Sequence, residues 1–120
     1  MVNENAKAER TEIMTKVKID PGPCGFKTVV TAQMNDDDQA EVKVASGCKA
    51  VMAMMAEVGP ELDPYEVCLV KPGKGPLYES AAEVFPVHAG CPVLIGIIKC
   101  VEAEAGLALL HNVSIDFEEA

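Results

Sequence analysis

The sequence contains no tryptophan, and aromatic residues make up only 4% of its 120 residues. Hydrophobic residues nevertheless supply 49% of the chain, so the core must be built from aliphatic side chains and six methionines. A chain with this much apolar material folds instead of staying disordered. Its length suffices for one hydrophobic core and is short for two, so we expect a single domain.

Positive charge is also scarce, because ten Lys and Arg face 19 Asp and Glu and the net charge is −9. No stripe of basic residues occurs, and we expect no nucleic-acid partner, since phosphate contacts need clustered Lys and Arg. The chain lacks the run of about 18 apolar residues that a membrane span needs and the apolar block of a secretory signal. These absences predict a cytoplasmic protein without a membrane partner. Residues 1–14 are polar and show no sustained period, so we predict a flexible leader there and one domain over residues 15–120.

The five cysteines include no Cys-x-x-Cys pair, which removes the usual signature of a thioredoxin-like dithiol and of a zinc ribbon. An odd number of cysteines in a reducing compartment also argues against a disulfide framework. The cysteines therefore indicate thiol chemistry or metal binding, unless they are simply buried in the core.

Apolar and polar residues alternate in several stretches, which is the pattern of half-buried β-strands. The alternation from Phe26 to Met34 is followed by the turn sequence NDDDQ and by a second alternating stretch from Ala40. We therefore predict a β-hairpin. The earlier KVKID is predicted to be a third strand, and LALLHNVSIDF near the C-terminus alternates in the same way.

In SGCKAVMAMMAEVGP the apolar period changes to about 3.6, which predicts a helix from Cys48 that Gly59-Pro60 ends. A short helix or strand is predicted from Asp63, and LYESAAEVF is predicted to be helical. A last helix is predicted from Pro92 to Gly106. Its expected buried face consists of Leu94, Ile98, Val101 and Ala105. Together these patterns predict an α+β fold, a small and mostly antiparallel β-sheet packed on one side by helices.

Three cysteines, Cys24, Cys48 and Cys91, each lie beside a glycine, in PGPCGF, ASGCKA and HAGCPV. Glycine lets the backbone approach a bound group closely, and a helix N-terminus, predicted at Cys48 and Cys91, stabilises a thiolate. Thiolates bind zinc and iron–sulfur clusters, so we predict that the three cysteines hold an iron–sulfur cluster or zinc. His88, three residues before Cys91, is a candidate fourth ligand.

The other two cysteines and the second histidine are predicted to be structural. Cys100 follows Cys91 by nine residues, which is about 13 Å along a helix, so it cannot join the same centre. Cys68, inside the apolar VCLV, is predicted to lie in the core, with a conditional role as fourth ligand. His111 is predicted to be a residue of the C-terminal strand.

Two other functions fit the same residues. In the first, Cys91 is the reactive thiol of a redox protein or enzyme and His88 is its base. In the second, the chain is an interaction module whose cysteines are only structural. The sequence leaves enzymatic activity open but favours a non-enzymatic binding protein, because the spacing of the residues defines no catalytic arrangement.

The chain is similar to a known family in the order of four features. These are PCG, a β-hairpin, GC at one helix start and FPVHAGC at a second helix start. The family is the iron–sulfur cluster assembly scaffold family of the IscU/NifU type, and the resemblance covers about residues 17–106. The stretches CG, GCKA and FPVHAGC resemble the family's ACGD, YGCGSA and LPPVKxHC. The cysteine separations of 24 and 43 residues are also similar to the family's. The chain also resembles an uncharacterised group of small cysteine-bearing domains from anaerobes.

The resemblance implies an IscU-like fold with Cys24, Cys48 and Cys91 as metal ligands. It also implies a scaffold that holds a cluster or metal for transfer to protein partners. Phe26 stands where the family has an acidic residue, and Gly90 stands where it has the histidine before the third cysteine. His88 is therefore the imidazole nearest to that position. Neither the oligomeric state nor the identity of the metal follows from the resemblance.

Overall fold

The structure is a computed structural model and describes residues 14–83 and 87–119. Its elements, in chain order, are β1 (Thr15–Ile19), β2 (Thr28–Met34), β3 (Ala40–Ser46), α1 (Lys49–Val58), β4 (Glu61–Leu62), α2 (Pro64–Cys68), α3 (Pro76–Glu83) and α4 (Pro92–Glu104). The strands form one sheet in the order β1-β2-β3-β4, and all three neighbouring pairs are antiparallel. The predicted α+β fold is confirmed.

The predicted hairpin is the centre of the sheet. β2 and β3 pair along their whole length, from Met34 opposite Ala40 to Thr28 opposite Ser46. In the turn between them, the side-chain oxygen of Asn35 accepts hydrogen bonds from the backbone N–H groups of Asp37 (2.9 Å) and Gln39 (3.1 Å). This local bonding explains why NDDDQ forms a tight connection.

The remaining strands pair on either side of the hairpin. β1 pairs with β2, which confirms the third predicted strand. β4 has only two residues, Glu61 and Leu62, and pairs with Glu41 and Ala40 of β3. The sequence analysis did not predict β4, because two residues are too few to show an alternating pattern.

Local signals in the sequence set the helix ends. α1 begins after Cys48 and stops at Gly59, whose φ of 92° suits glycine. The Asp63 carboxylate accepts a hydrogen bond from the Tyr65 N–H (2.9 Å), which caps α2 with Pro64 in its first turn. These predicted boundaries are confirmed.

The long helix α4 covers the inner face of β1 and β2. Near its start, Gly96 lies against Ile19, the last residue of β1. At its end, the Glu104 carboxylate accepts hydrogen bonds from the Thr15 hydroxyl (2.6 Å) and the Met34 N–H (3.1 Å). The helix therefore runs antiparallel to β1, from the Ile19 end of the sheet to the Thr15 end.

The core lies between one face of the sheet and the helices. Every second residue of β2 from Thr28 to Ala32 is buried, whereas Glu41 and Lys43 of β3 face solvent. The four helices complete the core with fully or almost fully buried side chains, since helices bury one apolar face. These side chains are Val51, Met54, Val67, Leu77, Val93, Leu94, Ile97, Cys100 and Val101.

Two details of the sequence-based interpretation are wrong. The alternating C-terminal segment does not form a strand: residues 108–119 have no regular structure, and residues 109–119 are exposed. The buried face of α4 centres on Ile97 and Cys100, while the predicted Ile98 and Ala105 are only half-buried. The buried face is wider than the predicted stripe and extends to one side of it, because Val93, Gly96, Ile97 and Cys100 are also buried.

Some predictions fall outside the residues that the structure describes. These are the polar leader, apart from Met14, and the three residues at 84–86, which include the first two of FPVHAGC. Within residues 14–83 and 87–119, no helix is both long and apolar enough to cross a membrane.

Candidate metal centre

Cys24 lies in the exposed connection between β1 and β2. The Asp20 carboxylate accepts a hydrogen bond from the Gly22 N–H (3.0 Å), and the Gly25 N–H donates to the Gly22 carbonyl (3.0 Å). Cys24 is thus the third residue of a closed turn, between glycines whose φ angles of 88° and 74° disfavour any other residue. Its thiol is exposed to solvent.

Cys48 is the N-cap residue of α1. Its backbone is extended (φ −82°, ψ 114°), and its carbonyl accepts the first helical hydrogen bond, from the Met52 N–H (3.1 Å). The thiol itself caps no backbone group. It is half-buried and packs against the edge of the core, so it combines partial protection with access from outside.

The two loops that carry Cys24 and Cys48 are joined by a short hydrogen-bonded chain. The buried Thr28 hydroxyl lies 2.9 Å from the Phe26 carbonyl, to which it donates, and 2.9 Å from the Ser46 hydroxyl. The Ser46 oxygen in turn accepts a hydrogen bond from the Cys48 N–H (3.1 Å). The backbone at Phe26, two residues after Cys24, is therefore linked through Thr28 and Ser46 to the start of α1.

A packing contact joins the same two loops. The Phe26 ring lies over Gly47, where an added Cβ would be 3.1 Å from the ring's Cδ1. Phe26 follows Cys24 by two residues and Gly47 directly precedes Cys48. The small size of Gly47 thus allows the Cys24 loop to lie against the Cys48 loop.

Cys91 occupies the equivalent place on α4, as its N-cap residue (φ −70°, ψ 116°) followed by Pro92 in the first turn. Its N–H donates to the His88 carbonyl (3.0 Å), which closes a turn before the helix. The Cys91 thiol is half-buried, packs against the core and caps no backbone group. The His88 side chain is exposed to solvent.

All three predicted ligands belong to the same end of the domain. Cys24 precedes Thr28, Cys48 follows Ser46, and these two strand ends are paired with each other. Ile19 lies at this end too, opposite Thr28, and the first half of α4 lies over Ile19. Cys91, five residues before Gly96, therefore lies near this end as well.

The three side chains do not form an assembled site. Throughout residues 14–83 and 87–119, no group of three or more His, Cys, Asp or Glu side chains is arranged to hold a metal ion. All five cysteines are free thiols. The structure thus brings the loops of Cys24 and Cys48 into contact and directs Cys91 to the same end, without a preformed metal cage.

Cys100 and Cys68 are set apart from this end. The fully buried Cys100 thiol donates to the Thr15 carbonyl (3.4 Å), and burial, followed by the Glu104 charge, raises the pKa of Cys100 to about 12. The Cys68 thiol donates to the Ile98 carbonyl (3.8 Å), and burial, followed by the Glu102 charge, raises the pKa of Cys68 to about 11. A raised pKa favours the neutral thiol, which is a poor metal ligand.

Cys68 also lines a groove of about 260 Å³ between α2 and α4, with Ile95, Ile98 and Lys99 among its other lining residues. None of the three predicted ligands lines this groove. Ile98 follows Cys91 by seven residues, which is about 10 Å along the helix. The geometry therefore gives no support to Cys68 as a fourth ligand and agrees with the prediction that it is structural.

His111 lies on the exposed C-terminal segment, not in a strand, and its Nδ1 is 2.9 Å from the Asn112 carbonyl oxygen. The sequence analysis also missed three polar residues that organise the domain: Thr28, Ser46 and Glu104. Thr28 and Ser46 could have been found from the sequence, because they lie opposite each other at the open end of the predicted hairpin. Glu104 has no local signal, because its partners lie 70 and 89 residues away.

No curated protein and no solved structure matches the chain. Residues 15–117 match a family of unknown function, DUF6951. The match includes β1, all three candidate cysteine ligands and most of the exposed C-terminal segment. The protein therefore belongs to the DUF6951 family, whose function is unknown.

Proposed function

We propose that this domain binds an iron–sulfur cluster or a zinc ion through Cys24, Cys48 and Cys91. The observation that carries the proposal is the contact between the Cys24 and Cys48 loops at the end of the sheet over which α4 begins. Three free thiols that are distant in sequence share this end of the fold. His88, exposed in the turn before Cys91, is the proposed fourth ligand.

The chemistry of these side chains fits such a group. Zinc and iron–sulfur clusters prefer thiolate ligands. Cys48 and Cys91 both stand at helix N-termini and have no capping bond that would occupy the sulfur. The thiolates would repel one another without a metal, so metal binding must draw the loops together and release protons.

A binding and delivery role agrees with this arrangement better than catalysis does. Thiols at one exposed end of a domain are accessible to a second protein, so the proposed partners are proteins that donate or accept the cluster or metal. The resemblance to cluster assembly scaffolds supports the same role. The cytoplasm is the proposed location, because all five cysteines are unpaired and thiols stay reduced there.

The test is metal content and affinity of the full chain purified without oxygen. The protein is incubated with zinc, or with ferrous iron and sulfide, and bound metal and sulfide are quantified together with the visible absorption spectrum. We expect one metal ion or one cluster per chain. Replacing Cys24, Cys48 or Cys91 individually by Ser should lower the affinity at least tenfold, since each change removes a ligand.

Cys68→Ser is the matched control, because Cys68 is half-buried like Cys48 and Cys91 but lies beside Ile98. It should retain the metal. The proposal fails if the wild-type chain binds neither zinc nor a cluster. It also fails if metal does not protect the three cysteines from a thiol reagent and Cys91 alone reacts fast, at a rate that depends on His88. That result would identify a thiol enzyme instead.

A further inference from the structure

The groove between α2 and α4 combines an apolar lining with positive charge. Val70 and Ile95 line it, and they are 39% and 47% exposed. Three lysines line it as well, Lys71, Lys74 and Lys99, in a chain that has only ten Lys and Arg. An apolar segment that carries negative charge therefore matches the groove, since complementary charge makes an interface specific.

The loop after α2 holds two of these lysines beside the groove. Within the loop, the Lys74 N–H donates to the Lys71 carbonyl (3.0 Å). Gly75 then lies so close to α2 that an added Cβ would be 2.6 Å from the Glu66 carbonyl oxygen and 3.3 Å from the Val70 Cγ2. The loop is thus packed back on α2, and Lys71 and Lys74 remain exposed.

The third lysine is partly neutralised by its own helix. The Lys99 Nζ lies 3.3 Å from the Glu102 Oε1, and Glu102 lines the same groove. Lys71 and Lys74 are in no ion pair with any other residue that the structure describes. The positive charge that a docked segment would meet therefore comes mainly from these two loop lysines.

The C-terminal segment, residues 109–119, has the complementary chemistry. Its Val113, Ile115 and Phe117 are 66%, 84% and 102% exposed. They alternate with polar residues, and the polar set includes Asp116 and Glu118. Successive side chains of an extended chain point to opposite sides, so this segment can present one apolar side and one acidic side. Exposed apolar surface of this kind marks an interaction site.

The segment also matches the groove in length. Along α4 the groove extends from Ile95 to Glu102, which is about 10 Å at the rise of an α-helix. The extended chain from Val113 to Phe117 spans about 13 Å. The apolar side of the segment can therefore lie along the whole groove, and its carboxylates then lie at the rim, within reach of the long lysine side chains.

We propose that the C-terminal segment of one chain docks in the groove between α2 and α4 of a second copy, which returns its own segment to the groove of the first. The apolar side contacts the apolar lining, and the two carboxylates pair with Lys71 and Lys74. A second copy is the favoured occupant because the segment is exposed in the single chain, outside its own groove, and a two-fold exchange fills both grooves. The charge pairs also offset the repulsion between two chains of net charge −9.

The test is the mass of the full chain in solution, measured by sedimentation over about two decades of concentration, since a dissociation constant needs such a range. The wild type should be a dimer. Ile115→Ser with Phe117→Ser should raise the dimer dissociation constant by about tenfold or more, because it removes apolar contacts without changing the net charge. The circular dichroism spectrum should not change, because both residues are exposed in the single chain.

A charge exchange assigns the groove as the docking site. Lys71→Glu with Lys74→Glu should weaken the dimer. Asp116→Lys with Glu118→Lys should weaken it too, although this change makes the net charge less negative and so reduces the general repulsion between chains. The four changes together should restore the dimer, because they exchange the charges of the two surfaces.

Lys16→Glu with Lys18→Glu is the matched control, because it makes the same change of charge at two exposed lysines of β1. It should leave the dissociation constant within about twofold at physiological salt, which screens distant charges. A monomeric wild type overturns the proposal, and it is also the result expected if the segment docks in its own groove. A dimer that the β1 variant disrupts and the groove variant does not disrupt overturns it as well.

Discussion

Gly96 of α4 lies against Ile19 of β1 so closely that the helix has no space for a side chain there. A Cβ added to Gly96 would lie 2.6 Å from the Ile19 Cγ1 and still closer to its Cδ1. Ile19 is buried and β-branched, so its side chain cannot easily rotate away. The absent side chain thus sets the distance between α4 and the sheet, and with it the position of Cys91.

Gly96→Ala should destabilise the domain. Overpacking a buried contact costs about 1–3 kcal/mol, whereas alanine improves helix propensity by only about 1 kcal/mol. We expect a net loss of up to about 2 kcal/mol in the free energy of unfolding, measured by urea denaturation. The affinity for zinc should fall as well, since a displaced α4 moves Cys91 away from the other cysteines.

Gly90→Ala is the control for this change. Gly90 directly precedes Cys91, but apart from its two chain neighbours no described residue has an atom within 4 Å of an added Cβ, and the φ of Gly90 is not in the left-handed region. Its unfolding free energy should stay within about 0.5 kcal/mol of the wild type. Equal stability of both variants would show that the contact between Gly96 and Ile19 does not limit the packing of α4.

Thr28→Val should loosen the connection between the Cys24 and Cys48 loops. The change keeps the shape of the side chain but removes the hydroxyl that bonds to the Phe26 carbonyl and to Ser46. Leaving these partners without their bonds should cost about 1–3 kcal/mol of stability. Weaker zinc binding should accompany the loss, because the loops would no longer hold one relative position.

Thr31→Val tests whether the hydroxyl of Thr28, and not valine itself, causes the effect. Thr31 is in the same strand but on the other face, where it is half-buried. Valine favours strands at least as much as threonine does, so stability should be unchanged or slightly higher. A similar loss in both variants would argue against a role for the Thr28 hydroxyl chain.

Much of the fold could be predicted because its signals are local. The alternation on both sides of NDDDQ and the Gly59-Pro60 stop act within a few residues, and the structure has both features. The C-terminal segment over residues 107–117 shows the limit of such patterns. Its alternation is a genuine strand pattern, but a strand needs a neighbour, and the sequence does not say whether that neighbour exists.

The sequence also predicts part of the candidate site, namely the local positions of its cysteines. The change of apolar period at Cys48 and the proline at position 92 mark helix starts, so the sequence could assign Cys48 and Cys91 to N-terminal positions. The distances between the three thiols depend instead on how Phe26 packs on Gly47 and how α4 lies on Ile19. Both contacts join residues that are distant in sequence, and no local pattern determines them.

Glu104→Ala should weaken the attachment of α4 to the sheet at the end opposite the cysteines. The Glu104 carboxylate accepts bonds from Thr15 and Met34, and hydrogen bonds to a charged group contribute about 1.5–3 kcal/mol each to stability. We expect a loss of about 3 kcal/mol in urea denaturation, the lower end of the sum for the two bonds, because Glu104 is only half-buried. Glu104→Gln keeps an oxygen acceptor and should lose less. Equal losses in the two variants would contradict this account of the contact.

Alkaline pH should destabilise the domain through Cys100 and Cys68. Burial raises the pKa of these thiols from an ordinary 9.0 to about 12 and about 11. Above about pH 9 the unfolded chain therefore loses protons that the folded chain keeps, so stability falls as pH rises toward those values. Cys100 should contribute a slope of at most about 1.4 kcal/mol per pH unit, and Cys68 less because solvent screens it.

The measurement is the free energy of unfolding of the wild type and of Cys100→Ala between about pH 8 and about pH 10.5, the window in which an unfolded thiol ionises. The variant loses packing at every pH, but its stability should fall less steeply above about pH 9, since it lacks the titrating group. Parallel curves for wild type and Cys100→Ala would mean that the folded protein does not hold the Cys100 proton more tightly than the unfolded chain does.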